Sequence, residues 1–164
     1  MGAGVSLAGI ILGFLYANIL EWVIHKYVLH GLGKKKGTLL SFHFYEHHQA
    51  SRKNNGIDLD YLKWGPTREN IFLICLLSLH APIFFWSPTL FVTLFIYTTL
   101  YYHVHRKSHL DANWARRWLP WHYDHHMGKS QNANWCVLFP LADYIFKSRI
   151  KYEYSETGRP IRVK

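Results

Sequence analysis

Acidic side chains are scarce in this chain of 164 residues: ten Asp and Glu stand against 19 Lys and Arg, a formal net charge of +9. Charge is missing altogether from two places. Residues 1–20 carry none, and Ile71–Tyr102 carries none beyond what His80 can hold. The apolar runs there are 20 and 32 residues long, Val5–Ile24 (interrupted only by Asn18 and Glu21) and Ile71–Tyr102, and both are long enough to enter a bilayer. Cysteine is almost absent as well. Cys75 and Cys136 cannot build a disulfide framework, and Cys75 lies inside the second apolar run, so both read as reduced bystanders. Internal repeats and low-complexity tracts are lacking, which leaves one domain's worth of material. The N-terminus lacks the positive region of a cleavable signal peptide, so a retained first helix is expected.

As one helix the second run would extend about 48 Å, against a hydrocarbon core of about 30 Å. It is expected to fold back on itself. Pro82 and the Ser87-Pro88 step supply the break, because proline cannot continue the helical ladder and restricts the residue before it. Each arm is then short, and a spanning and a re-entrant hairpin fit equally; both return the chain to the face it left. All 19 Lys and Arg lie at Lys26 or later, so the positive-inside rule puts the polar parts in the cytoplasm of a bacterial inner membrane or endoplasmic reticulum. The basic clusters (Lys34-Lys35-Lys36, Arg52-Lys53, Arg106-Lys107, Arg116-Arg117) flank these segments, which favours lipid headgroups over nucleic acid as their partner. Trp114, Trp118 and Trp121 recur at helical spacing beside Arg116 and Arg117, the pattern of a helix lying in the headgroup region. Residues 1–150 form the expected membrane-embedded domain and 151–164, with Gly158-Arg159-Pro160, a basic cytoplasmic tail.

Histidine is what the chain has in excess. Ten of its twelve histidines fall into four groups: His25 and His30; His43, His47 and His48; His105 and His109; His122, His125 and His126. Imidazole is the commonest transition-metal ligand, and ten exceed the needs of one ion, so a two-metal site is the economical reading. The topology brings all four groups to one cytoplasmic face. On an α-helix His105 and His109 share a side, and His122, His125 and His126 fall within an arc of about 100°. His43 and His47 are aligned with His48 rotated, and His25 and His30 are about 140° apart. The rotated members either serve the other metal or sit where the helix loosens. His80 and His103 are set aside as lone side chains. Glu21, one turn before His25 inside the first apolar run, has the spacing to accept that ring's N–H; it could equally reach the interface or pair with Lys26. Glu46 and Asp124, lodged inside histidine groups, are either partners of ligating rings or solvent-facing residues.

This arrangement resembles the fatty acid hydroxylase superfamily, which includes sterol desaturases, sterol methyl oxidases and carotenoid β-ring hydroxylases. The resemblance runs from about Glu21 to Phe146. EWVIHKYVLHG looks like the family's first histidine box, YYHVHRKSH like the box that closes a hairpin, and WHYDHH like the final H-x2-HH box; NANWCVLFPLADYIF is similar to the segment that follows. The second box departs: it is H-x3-HH where many members have H-x2-HH, leaving its ligand open between His43 and a neighbour. The family's common Phe-Gly-Thr is Phe146-Lys147-Ser148 here, which puts the local turn in question.

The resemblance implies an all-α integral membrane helical bundle with a cytoplasmic helical cap over a histidine-rich di-metal site. It implies two iron ions, zinc being a substitute a purified sample could carry, and O₂ as co-substrate. The activity implied is oxidation of an unactivated C–H bond of a membrane lipid, fatty-acyl by the PLADYIF ending, with carotenoid or sterol hydroxylation or desaturation as alternatives. Redox-inactive zinc cannot activate O₂, and the chain has no room for a haem or flavin domain. Electrons are therefore expected from a ferredoxin or cytochrome b5-type donor with its reductase, docking on the basic face. A reading from another class is a membrane protein that binds or carries zinc without redox chemistry, which would need ligands along a path through the membrane.

Overall fold

A computed structural model describes residues 5–63, 66–155 and 160–163, and it is mostly helical. The first apolar run forms α1 (Leu7–Val23), opened by Ser6, whose hydroxyl accepts from the Gly9 N–H at 3.3 Å. The second run breaks where its prolines stand. α3 (Arg68–His80), N-capped by Thr67, gives way at Pro82 to the single turn α4 (Ile83–Trp86), and Pro88 opens the long α5 (Pro88–Leu110). Proline suits a helix's first turn, where its missing N–H has no partner to lose. Between α1 and α3 lies α2 (His48–Lys53).

α1 packs along α5 at very short range. A Cβ added to Gly13 would stand 2.8 Å from the Thr93 Cβ, and one on Gly9 would stand 3.0 Å from the Thr89 Cβ. With Ala17, these residues make a small-x3-small-x3-small seam, the device by which helices approach closely in lipid. One layer of core follows: Ala17, Leu94, Tyr97 and Leu138, flanked by Phe14, Leu77, Tyr101 and Val104. On the outside, α1 exposes Ile10, Ile11 and Leu12, and the hairpin exposes Ile74, Leu79, Phe85, Trp86, Phe95 and Ile96. Among the described residues one helical run, Leu7–Lys34, is long and apolar enough to cross a membrane by length and composition; the hairpin arms do not meet that measure.

Two expectations are corrected. The tryptophan stripe is not one helix, because α6 (Ala112–Trp118) stops before Pro120, which opens α7 (Pro120–Met127). Trp121 therefore belongs to α7, where its indole N–H donates to the Val137 carbonyl at 2.7 Å, while Trp118 stays exposed. Nor is the chain purely α, or its end a plain extension. After α8 (Leu141–Ile145), β1 (Lys151–Tyr154) and β2 (Pro160–Val163) pair antiparallel, Tyr152 and Tyr154 sharing the better-covered face of an alternating strand. Gly158 and Arg159 of the expected tail, and residues 1–4 of the uncharged N-terminus, lie outside the described residues.

Candidate metal centre

Two departures from α-helical geometry organise the histidines. Ile24–Leu29 is a π-helical turn, in which the His30 N–H donates to the His25 carbonyl at 2.9 Å, and His43–His47 is another, closed by the His48 N–H on the His43 carbonyl. A bond spanning five residues brings side chains five apart onto one side. His25 and His30 thus meet, as do His43 and His48, while His47 turns the other way. The α-helical alignment of His43 with His47 is overturned for that reason, and the extra residue in the second box is what the π turn accommodates.

All ten box histidines are buried, none more than 7% exposed. His25, His30, His43, His48 and His125 form one group and His47, His105, His109 and His126 a second, each with its potential ligand nitrogens within 4.8 Å of one another. His122 joins the second group at its edge, its Nε2 3.1 Å from that of His109. α7 serves both groups at once. His48 and His126, stacked 4.2 Å apart, are where the two groups touch.

The ring nitrogens face inward as a metal requires. Nε2 atoms approach one another at 3.0 Å (His25–His43 and His30–His48), 3.1 Å (His48–His125) and 3.2 Å (His30–His125). An ion with imidazole bonds of about 2.1 Å places neighbouring ligand nitrogens about 2.9 to 3.4 Å apart, depending on coordination number. The buried Nε2 atoms of His47, His105 and His126 have no protein partner, which is costly unless something else satisfies them. The residues fit transition ions.

The outward nitrogens of six of the rings meet other groups, while the Nδ1 atoms of His30, His122 and His126 have no protein partner. In the first group His25 Nδ1 meets the Trp135 carbonyl at 2.5 Å and His125 Nδ1 the Ala133 carbonyl at 2.7 Å, while the Gln131 amide lies 3.1 Å from His48 Nδ1. In the second, His47 Nδ1 meets Asp58 at 2.8 Å and His105 Nδ1 meets Glu69 at 2.6 Å; His109 Nδ1 lies 3.2 Å from both the Gly56 carbonyl and the Ser51 hydroxyl. A ring that donates from Nδ1 presents its Nε2 lone pair to the metal. Burial, and then the neighbouring imidazoles, hold His43, His48, His109, His122, His125 and His126 well below the ordinary histidine range. His47 is lowered too, burial outweighing Asp58. Neutral rings are the form that binds metal.

None of the three carboxylates expected beside the ligands is there. Glu21 accepts from the Tyr97 hydroxyl and the Val137 N–H, both at 2.5 Å, because His25 has already turned to Trp135. Glu46 pairs with Arg68 at 2.6 Å on the surface. Asp124 is buried but accepts from Arg149 at 2.8 Å and Tyr154 at 3.0 Å, pinning the β-hairpin to α7. The carboxylates that do support the centre, Asp58 and Glu69, carry no spacing signal. They lie 11 and 36 residues from the rings they hold.

The NANWC segment supplies the first group's carbonyls, and PLADYIF supplies the aspartate that anchors it. Asn134 sits at φ 60, a left-handed conformation asparagine tolerates, with Ala133 and Trp135 on either side. Asp143 accepts from the Trp135 and Cys136 N–H groups at 2.8 and 2.9 Å and fixes this strap. The altered Phe146-Lys147-Ser148 turn forms: Lys147 takes φ 53 and Ser148 donates to Asp143 at 2.6 Å.

A cavity of about 240 Å³ runs between α1, α3 and α5 up to this centre. Leu20, Ile24, Phe72, Leu73, Leu76 and Leu94 are among its apolar walls, and His25, His43 and His47 stand at one end. His80 lies at the other, bonded to Tyr16, and His103 is exposed; neither joins the groups.

A family model described as fatty acid hydroxylase matches residues 10–148. No curated protein matches the chain, and no solved structure does.

Proposed function

The chain belongs to the fatty acid hydroxylase family, and from that premise we propose that it hydroxylates a membrane lipid, with two iron ions held by its ten box histidines and O₂ as co-substrate. The observation that carries this reading is the apolar cavity ending on His25, His43 and His47. Two irons bound there would supply the redox chemistry that attack on an unactivated C–H bond needs. His25, His30, His43, His48 and His125 would hold one, and His47, His105, His109, His122 and His126 the other. The protein's own part is to orient. Asp58, Glu69 and the strap carbonyls fix which nitrogen of His47, His105, His25 and His125 faces inward, and the leucine and phenylalanine walls exclude water and present a chain rather than a headgroup.

We propose further that the chain is an integral membrane helical bundle, with the histidines in a cytoplasmic cap. Support comes from the Leu7–Lys34 run, the small-residue seam, the exposed apolar side chains of α1 and the hairpin, and the absence of Lys and Arg before Lys26. The hairpin's short first arm favours a re-entrant element. Lipid would enter laterally, and a ferredoxin or cytochrome b5-type donor with its reductase would dock on the basic face that includes Lys35, Lys36 and Lys53. A zinc carrier is disfavoured by the cavity's walls, which offer an ion an apolar passage below the histidines. The test is oxidation of a membrane lipid extract by iron-loaded full-length protein with donor, reductase and ¹⁸O₂. Labelled hydroxyl in one lipid class is expected; a loaded, folded protein that oxidises no fatty-acyl, sterol or carotenoid lipid would overturn the proposal.

A further inference from the structure

His80 is the one side chain of the 32-residue apolar run that can carry a charge near neutral pH, and such a group at that depth is costly enough to demand a use. Its Nδ1 lies 2.7 Å from the Leu76 carbonyl, so that nitrogen carries the hydrogen and Nε2 is left as an acceptor. The Tyr16 hydroxyl donates to that Nε2 at 2.6 Å. The bond ties α1 to the end of α3 remote from Glu69 and the histidine groups. His80 lines the cavity and Tyr16 is still 39% exposed, so a ligand lying in the cavity reaches the pair through the His80 ring.

We infer that Tyr16 and His80 bind a hydroxyl group on an elongated lipid, and by anchoring that end decide which carbon reaches the histidines. The inference rests on the oxygenase reading for its consequence, though not for the binding itself. A hydroxyl can enter the pair without leaving any group unpaired, accepting from Tyr16 and donating its own hydrogen to His80 Nε2. A hydrocarbon end offers neither. A carboxylate has no hydrogen for Nε2 and would bring an unneutralised charge to an apolar site. The fold also sets a length. Glu69, which holds His105, and His80 are eleven residues apart on α3, or about 16 Å at 1.5 Å per residue. An extended chain covers about 1.2 Å per bond, so the oxidised carbon should lie about 13 bonds from the hydroxyl.

Binding of hexadecan-1-ol, hexadecane and hexadecanoic acid to the metal-loaded full-length protein in detergent, by displacement of labelled hexadecan-1-ol, tests this. The wild type should favour the alcohol over the alkane by about threefold to tenfold, as one net hydrogen bond allows, and over the acid as well. Tyr16→Phe and His80→Phe should each erase the preference with metal content unchanged. Equal affinities in the wild type, or a preference that survives both substitutions, would overturn the inference; if a variant loses its metal, the wild-type comparison decides alone. The two readings fail separately. Preferred alcohol binding without O₂-dependent product sinks the oxygenase reading only, and product formation without that preference sinks this one only.

Discussion

Two rings of the first histidine group are oriented by peptide carbonyls and a third lies against an amide, whereas two rings of the second are oriented by carboxylates. Ala133, Trp135 and Gln131 stand behind one, Asp58 and Glu69 behind the other. A carboxylate makes the imidazole it holds more basic and a stronger donor, whereas a carbonyl mainly fixes the ring. The two metal positions are therefore alike in ligand type and unlike in electronic support. The second should hold its ion more tightly. The first depends on the backbone strap from Ala133 to Val137 and on whatever keeps that strap in place.

The largest effects should come from the ligands themselves. His125→Ala should take the metal from the first group and His126→Ala from the second, each abolishing lipid oxidation. Metal analysis of the purified variants checks this, and full metal content in either would remove that ring from its group.

Acid comes next. Burial lowers the folded-state pKa of His43, His47, His48, His109, His122, His125 and His126 below the unfolded value near 6.5. The unfolded chain then binds more protons than the folded one as pH falls below about 6.5, and the metal-free fold loses stability there at up to about 1.4 kcal/mol per pH unit for each such ring. Denaturant melts of chelated protein between pH 8 and 5 should show a steep fall; a flat profile would contradict the burial of neutral rings.

Asp58→Asn and Glu69→Gln sharpen the comparison directly. Each should weaken one metal by about 10- to 100-fold and leave the other untouched. If both ions weaken together, the groups are not independently supported. Glu21→Gln is a control on the strap. It touches no ligating ring but holds the strap at Val137, so it should cost about 1 to 2 kcal/mol of stability through the Val137 and Tyr97 bonds and leave the second group's ion untouched. The smallest effect is Lys147→Gly. Lys147 sits at φ 53, where glycine avoids the left-handed penalty but brings more chain entropy, so a gain below about 1 kcal/mol is expected in thermal melts.

Much of this was legible in the residues. Four boxes in order named the histidines that the structure gathers into two groups, and Pro82 and Pro88 marked the hairpin's break to within a turn. The sorting of His43, His47 and His48 was not legible, because helical phase was counted at 100° per residue and a π turn changes that count. The five-residue spacing of both His25–His30 and His43–His48 was the available signal. Asp58 and Glu69 were missed for another reason: their partners come from tertiary packing between segments, which no local period encodes. The Lys-Tyr-Glu-Tyr alternation of β1 is a strand signal of period two, faint in a segment so short and polar.

Metal titration of the chelated wild-type protein, followed by the count of ions bound per chain, tests the central claim most directly. Two tight, unequal sites are predicted, the tighter one alone weakened in Asp58→Asn. A single site, or two that respond identically to that substitution, would contradict the account.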